Sequence, residues 1–174
     1  MLLVILAVAV FGFTRFFNLD LIPIFADEAI YIKWAQLMAY DWHYLFVPLT
    51  DGKTPLFMWL LAPLLRFNFD PLLTGRVLSV MAGMGTVSGI YFLAKELFEE
   101  KTARLAAGLA LFQPFLLFYD RLSLTDSLLT GLIVWSVYFG TGVKLGITAA
   151  MAMLVKPSAL SYLLIIPIFK LKSW

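Results

Sequence analysis

Long apolar runs separated by short charged clusters set the pattern of this chain. The first run extends from about Leu2 to Leu19, with Arg15 near its end, where a long side chain can snorkel to an interface. No basic residues precede it, and Phe16 and Phe17 do not suit a cleavage site, so it reads as a retained first helix rather than a secretory signal. Residues 20–54 follow as a polar and aromatic stretch. Within it, residues 28–40 predict a helix with an apolar stripe of Ile30, Trp34, Leu37 and Met38. Lys33 and Gln36 lie off that stripe. At this length the helix is too short to span a bilayer and fits one lying in the interface.

Residues 56–67 predict a second short apolar helix, interrupted by Pro63 and ended by Arg66, read as interfacial; the alternative, a full span, would separate Asp126 from Asp27. Asp70-Pro71 is a helix start signal, Asp as N-cap and Pro in the first turn, for a long helix to about Leu97. Its Gly83, Gly85 and Gly89 predict close approach to a neighbouring helix. A short charged loop, 95–104, leads to a third span at 103–119. Shorter apolar runs follow at 127–140 and 146–155. Lys156-Pro157 then breaks the chain before a last run, 160–169, that ends at Lys170 and Lys172.

Composition fixes the class. The 174 residues are 62% hydrophobic and only 14% charged, with mean hydropathy +0.92. A soluble domain carries about 25% charged residues. The expected fold is all-α, a polytopic transmembrane helix bundle with short interfacial helices in a first external loop, 20–70. Residues 1–174 form a single transmembrane domain in this reading. A net charge of +2 with no Lys/Arg block argues against nucleic acid as a partner. With no cysteine and one histidine, His43, thiolate and multi-histidine metal sites are excluded, and a carboxylate site for a divalent metal stays open. His43 itself reads as an interfacial or packing residue rather than a ligand.

With Met1 in the cytoplasm and the two short helices interfacial, every Asp and Glu28 fall on the external face. The positive-inside rule supports this orientation through the 95–104 loop and the Lys170/Lys172 tail. The arrangement gathers Asp27, Glu28, Lys53, Arg121, Asp126 and Lys156. A carboxylate can deprotonate an acceptor hydroxyl. Lys and Arg can hold a phosphate and stabilise charge developing on it. Each residue also has a plainer reading. Asp27 can cap the 28–40 helix, and Glu28 suits its dipole. Ser123-Leu124-Thr125-Asp126 has the form of a capping box. Lys53 can be a solvated turn residue, and Arg121 and Lys156 can be interfacial. Gly52-Lys53-Thr54 is not a phosphate-binding P-loop, because the earlier glycine is missing and Pro55 follows.

The ordered motifs resemble the GT-C superfamily of membrane glycosyltransferases, most closely the branch of protein O-mannosyltransferases and lipid A aminoarabinose transferases. They are Asp27-Glu28-Ala29-Ile30-Tyr31, Gln36-Leu37-Met38, Lys53-Thr54-Pro55-Leu56 with Trp59, Arg76 with Ser79 and Gly83, Arg121 to Asp126, and Gly146 to Lys156-Pro157. The resemblance implies Asp27 as catalytic base with Glu28 supporting it, and Lys53 near the donor phosphate. Thr54 stands where the family's Lys-Pro-Pro motif has its first proline. It also implies Asp126 and Arg121 in the same cavity, a sugar donor on a polyprenyl phosphate, inversion at the anomeric carbon, and a glycan, lipid or protein acceptor. Some members bind a metal and many need none. The implied location is the plasma membrane, multi-pass, with the site loop extracytoplasmic. Members carry more spans than the roughly six read here, so the expectation is the N-terminal part of a larger enzyme, inactive alone. Two other classes compete: a small transporter or lipid-handling protein, for which inverted repeats are missing, and a non-catalytic scaffold.

Overall fold

A computed structural model describes residues 2–164, with side chains from Ile5 onward. The described residues form nine α-helices and two 3-10 turns. The helices are α1 (Leu2–Phe16), α2 (Ala26–Tyr40), α3 (Leu56–Leu65), α4 (Pro71–Leu97), α5 (Glu100–Leu111), α6 (Pro114–Tyr119), α7 (Thr125–Phe139), α8 (Gly142–Val155) and α9 (Ala159–Leu163). The predicted run beyond Leu164, with Lys170 and Lys172, lies outside the described residues.

Among the described residues only α4, at 27 residues, is long and apolar enough to cross a membrane unaided. It rises about 40 Å at 1.5 Å per residue, against a hydrocarbon core of about 30 Å. Its start is as predicted: the Asp70 carboxylate accepts from the Leu73 N–H at 2.8 Å. The predicted span at 103–119 is instead two helices. Pro114 cannot continue α5, and Gln113 starts α6 by accepting from the Leu116 N–H at 2.8 Å. The capping box expected at Ser123 is absent; Leu124 holds the N-cap position of α7 without a side-chain bond.

α4 is the spine of the structure. Among its predicted contact glycines, Gly83 faces Asp120, where an added Cβ would collide with the carboxylate, and Gly89 faces Val134. Gly85 instead has open space beside it, and its carbonyl accepts from Trp135 Nε1 at 3.0 Å. In α3, Phe57, Met58 and Leu61 are fully buried against α2, so this short apolar helix belongs to the core. α2 buries Tyr31, Ile32, Ala35, Met38 and Ala39, leaving Ile30 exposed. Its core-facing stripe is therefore rotated from the one read in the sequence.

The turn between α4 and α5 is closed by charge. The Tyr91 hydroxyl donates to Glu100 at 2.7 Å, and Lys95 and Arg104 flank the same carboxylate at 2.9 and 3.1 Å. The Tyr91 hydrogen bond, then those of Lys95 and Arg104, hold the Glu100 carboxyl at about 2, below its ordinary 4.5. A depressed carboxylate stabilises the fold fully above its ordinary value and loses that effect as pH falls toward the folded value. Amide exchange in the first turn of α5, corrected for intrinsic rates, is therefore expected to rise as pH falls from about 4.5 to about 2. Glu100→Gln should remove that pH step; a step that persists in the variant would rule out Glu100 as its source.

Candidate active site

The site is built on the first turn of α2. Phe25 precedes the helix, and its N–H donates to Glu28 at 2.9 Å, half of a capping box. Glu28, not Asp27, therefore does the capping. Successive helical residues point about 100° apart, so neighbours in sequence diverge in space. Glu28 turns inward and is fully buried. Asp27 turns outward, its side chain 43% exposed.

Glu28 is the knot of the region. Arg76 on α4 grips it through both oxygens, Nε to Oε1 at 3.0 Å and Nη2 to Oε2 at 2.9 Å. The Ser123 N–H donates to Oε1 at 2.6 Å. Arg76 also donates to the Leu19 carbonyl at 2.7 Å. One carboxylate thereby joins the entry to α2, the spine helix and the loop that leads into α7. Burial works to raise the Glu28 carboxyl, and the bonds from Arg76, Phe25 and Ser123 outweigh it, holding it below the usual carboxylate range.

Outside this knot, Lys53 comes to Asp27. Gly52, at φ 65°, makes the left-handed turn that a side chain would strain, and the Lys53 N–H closes it on the Pro48 carbonyl at 3.0 Å. The Lys53 ammonium lies 3.2 Å from Asp27 and 3.2 Å from Asp51. It also sits over the rings of Tyr31, at 5.2 Å, and Trp34, at 5.7 Å. Desolvation disfavours its charge, but the hydrogen bonds to Asp51 and Asp27 prevail and raise its pKa above the ordinary lysine value.

Tyr31, one turn along α2 from Asp27, is buried. Burial raises its phenol pKa, and Lys53, Asp27 and Asp126 all lie within electrostatic reach, with Thr125 beside it. Asp126, in the first turn of α7, pairs with Lys156 at the end of α8, 3.1 Å away. Asp27, Lys53 and Asp126 thus lie within electrostatic reach of Tyr31, and Lys156 joins them through its pair with Asp126.

Arg121 is used elsewhere. Its guanidinium donates to the carbonyls of Phe17, at 3.0 Å, and Asn18, at 2.7 Å, where the chain leaves α1. His43 is exposed, stacked on Trp42 at 4.0 Å and bonded to Asp41 at 2.7 Å. Arg15 does not snorkel: it is fully buried and pairs with Asp120 at 3.3 Å, while Ser127 donates to the same carboxylate at 2.8 Å. The sequence reading assigned no role to Asp120 or Tyr31. Arg76 was a signal: a charge inside an apolar helix demands a partner.

A protein-held metal does not fit this donor set. Asp27 and Asp126 each face a lysine. Among the described residues no three His, Asp or Glu side chains gather as ligands.

The chain is all-helical over the described residues, and its family places it in the GT-C glycosyltransferase class. The chain belongs to the dolichyl-phosphate-mannose-protein mannosyltransferase family, whose model matches residues 52–172. The match takes in Lys53, Arg76, Asp120, Arg121, Asp126 and Lys156, and begins after Asp27 and Glu28. No curated protein and no solved structure matches the chain.

Proposed function

We propose that this protein is a multi-pass membrane glycosyltransferase. It moves a sugar from a polyprenyl-phosphate donor to a hydroxyl acceptor on the extracytoplasmic face, with inversion. The family description favours a dolichyl-phosphate-linked mannose as donor and a protein as acceptor. The observation that carries the reading is the half-exposed Asp27 carboxylate held 3.2 Å from the Lys53 ammonium.

In the proposed reaction Asp27 takes the proton of the acceptor hydroxyl as its oxygen attacks the anomeric carbon. The bond from that carbon to the phosphate oxygen breaks, and its electron pair leaves with the polyprenyl phosphate. Lys53 stabilises the charge gathering on that leaving group. Asp126 and Lys156 border the same space and contact the donor headgroup. Glu28 acts through Asp27 by fixing the first turn of α2.

The test is sugar transfer in membranes holding the protein, from a radiolabelled polyprenyl-phosphate sugar to a hydroxyl-bearing peptide. Removing one preorganised donor to developing charge typically costs about 10²-fold in rate. Lys53→Met is expected to lower turnover by about that factor while the protein remains folded. Full transfer in both Asp27→Asn and Lys53→Met would overturn the assignment. Full turnover in Lys53→Met would remove Lys53 from the donor site.

A further inference from the structure

A concave site lies along another side of α2. Lys33, Gln36, Leu37 and Tyr40 recur at i, i+3, i+4 and i+7 and form one wall. Asp41 and Tyr44 close one end, and Leu65, Asn68, Phe69 and Pro71, from the α3–α4 connection, form the facing wall. The groove has a volume of about 520 Å³, within the ~300–1,000 Å³ of small-ligand sites. Asp27 and Tyr31 point away from this wall around the helix axis, and neither lines the groove. The groove is therefore separate from the cluster around Tyr31.

Its lining selects a ligand class. Six of the ten lining residues carry a hydrogen-bonding side chain. They supply an ammonium, two amides, two phenols and a carboxylate, donors and acceptors intermixed. One cation and one anion cancel, so a phosphate headgroup finds no net positive field. The polar groups interrupt the apolar wall, leaving no continuous channel for an acyl chain. Tyr40 is 76% exposed and Phe69 65% exposed, offering flat apolar faces. Rings of this kind pack against the C–H face of a pyranose while amides and phenols meet its hydroxyls.

We infer that this groove binds a neutral hexose unit, borne by a glycan or by an already glycosylated acceptor. The inference goes beyond the transfer reaction and does not need Asp27. It places a sugar-reading site on the helix that carries the proposed base, so that a sugar-bearing acceptor is held by one face of α2 while the other face reacts.

The test is saturation-transfer NMR on detergent-purified protein, with methyl α-mannoside, methyl β-glucoside, mannobiose and a mannosylated serine peptide as probes. Saturation of the pyranose ring protons is expected, with affinity falling at least fivefold in Gln36→Ala and in Tyr40→Ala. Circular dichroism checks that both variants stay folded. Tighter binding of mannobiose identifies a glycan as the source, and tighter binding of the peptide identifies a glycosylated acceptor. Asp27→Asn should leave this binding unchanged even where it stops transfer, so the two readings fail separately. No saturation by any probe, or saturation insensitive to both groove variants, overturns the proposal. So does binding lost in Asp27→Asn alone, which would place the sugar at the other site. Displacement of the sugar by anionic lipid vesicles but not by neutral ones would overturn it in favour of a headgroup site.

Discussion

Replacing Glu28 with alanine should destabilise the protein by about 3–5 kcal/mol, the typical cost of removing one partner from a buried ion pair. The cause is what remains. Arg76 is fully buried, and without Glu28 its charge keeps only the backbone carbonyls of Leu19 and Pro23. The N–H groups of Phe25 and Ser123 lose their acceptor as well. Glu28→Gln should cost less, since an amide oxygen still accepts, but it faces Arg76 with one donor where two acceptors stood. The double replacement Glu28→Met with Arg76→Met should recover much of the loss, because burying neither charge avoids both desolvation penalties. Thermal unfolding in detergent, arranged as a double-mutant cycle, measures the coupling. A single variant that melts within about 0.5 kcal/mol of the parent, the range of an ordinary surface change, would show that the pair is not a structural knot. Acid should weaken the same knot. The Glu28 carboxyl is held below its ordinary 4.5, so its contribution is complete above that value and is lost as pH falls below it.

How much of this was legible in the sequence follows from the range of each interaction. The start of α4 was readable because Asp70, Pro71 and Leu73 act on one another within one turn. The break before Pro114 was also written locally. It was overridden by the apolar run on either side, which hides a helix boundary when hydropathy is read before proline. The two buried pairs could not be read this way. Arg76 meets Glu28 across 48 residues and Arg15 meets Asp120 across 105. Local spacing signals only that such charges need partners, not which ones.

The same limit applies to the carboxylates at the start of α2. As text, Asp27-Glu28 is one acidic pair, and both members read as catalytic candidates. On a helix they diverge by about 100°, and burial sorts them into a structural anchor and a half-exposed group beside a lysine. Adjacency in sequence concealed a division of labour. Asp126 and Lys156 meet because α7 and α8 form an antiparallel pair that brings the start of one to the end of the other. Arg121, at the boundary of the same loop, was drawn instead to the carbonyls of Phe17 and Asn18 just beyond α1, where a planar guanidinium can donate to two acceptors at once.

The largest expected effect on chemistry is at Asp27. Asn has nearly the same shape but no basic carboxylate, so Asp27→Asn should remove proton abstraction while leaving the first turn of α2 intact. Positioned general bases contribute about 10²–10⁴-fold, and turnover is expected to fall by that range. Stability should change little, because Asp27 is half-exposed and an exposed ion pair with Lys53 is worth about 0–1 kcal/mol. This contrast with Glu28→Ala is the discriminating feature: one variant folds and does not turn over, and the other loses stability first. Full turnover in Asp27→Asn would assign the base to another carboxylate, Asp51 beside the same lysine or Asp126. Asp126→Asn in the Asp27→Asn background then decides between them. A further fall of about 10²-fold would mark Asp126 as the working base, whereas an additive loss of a few-fold would leave it the role of holding Lys156 toward the donor.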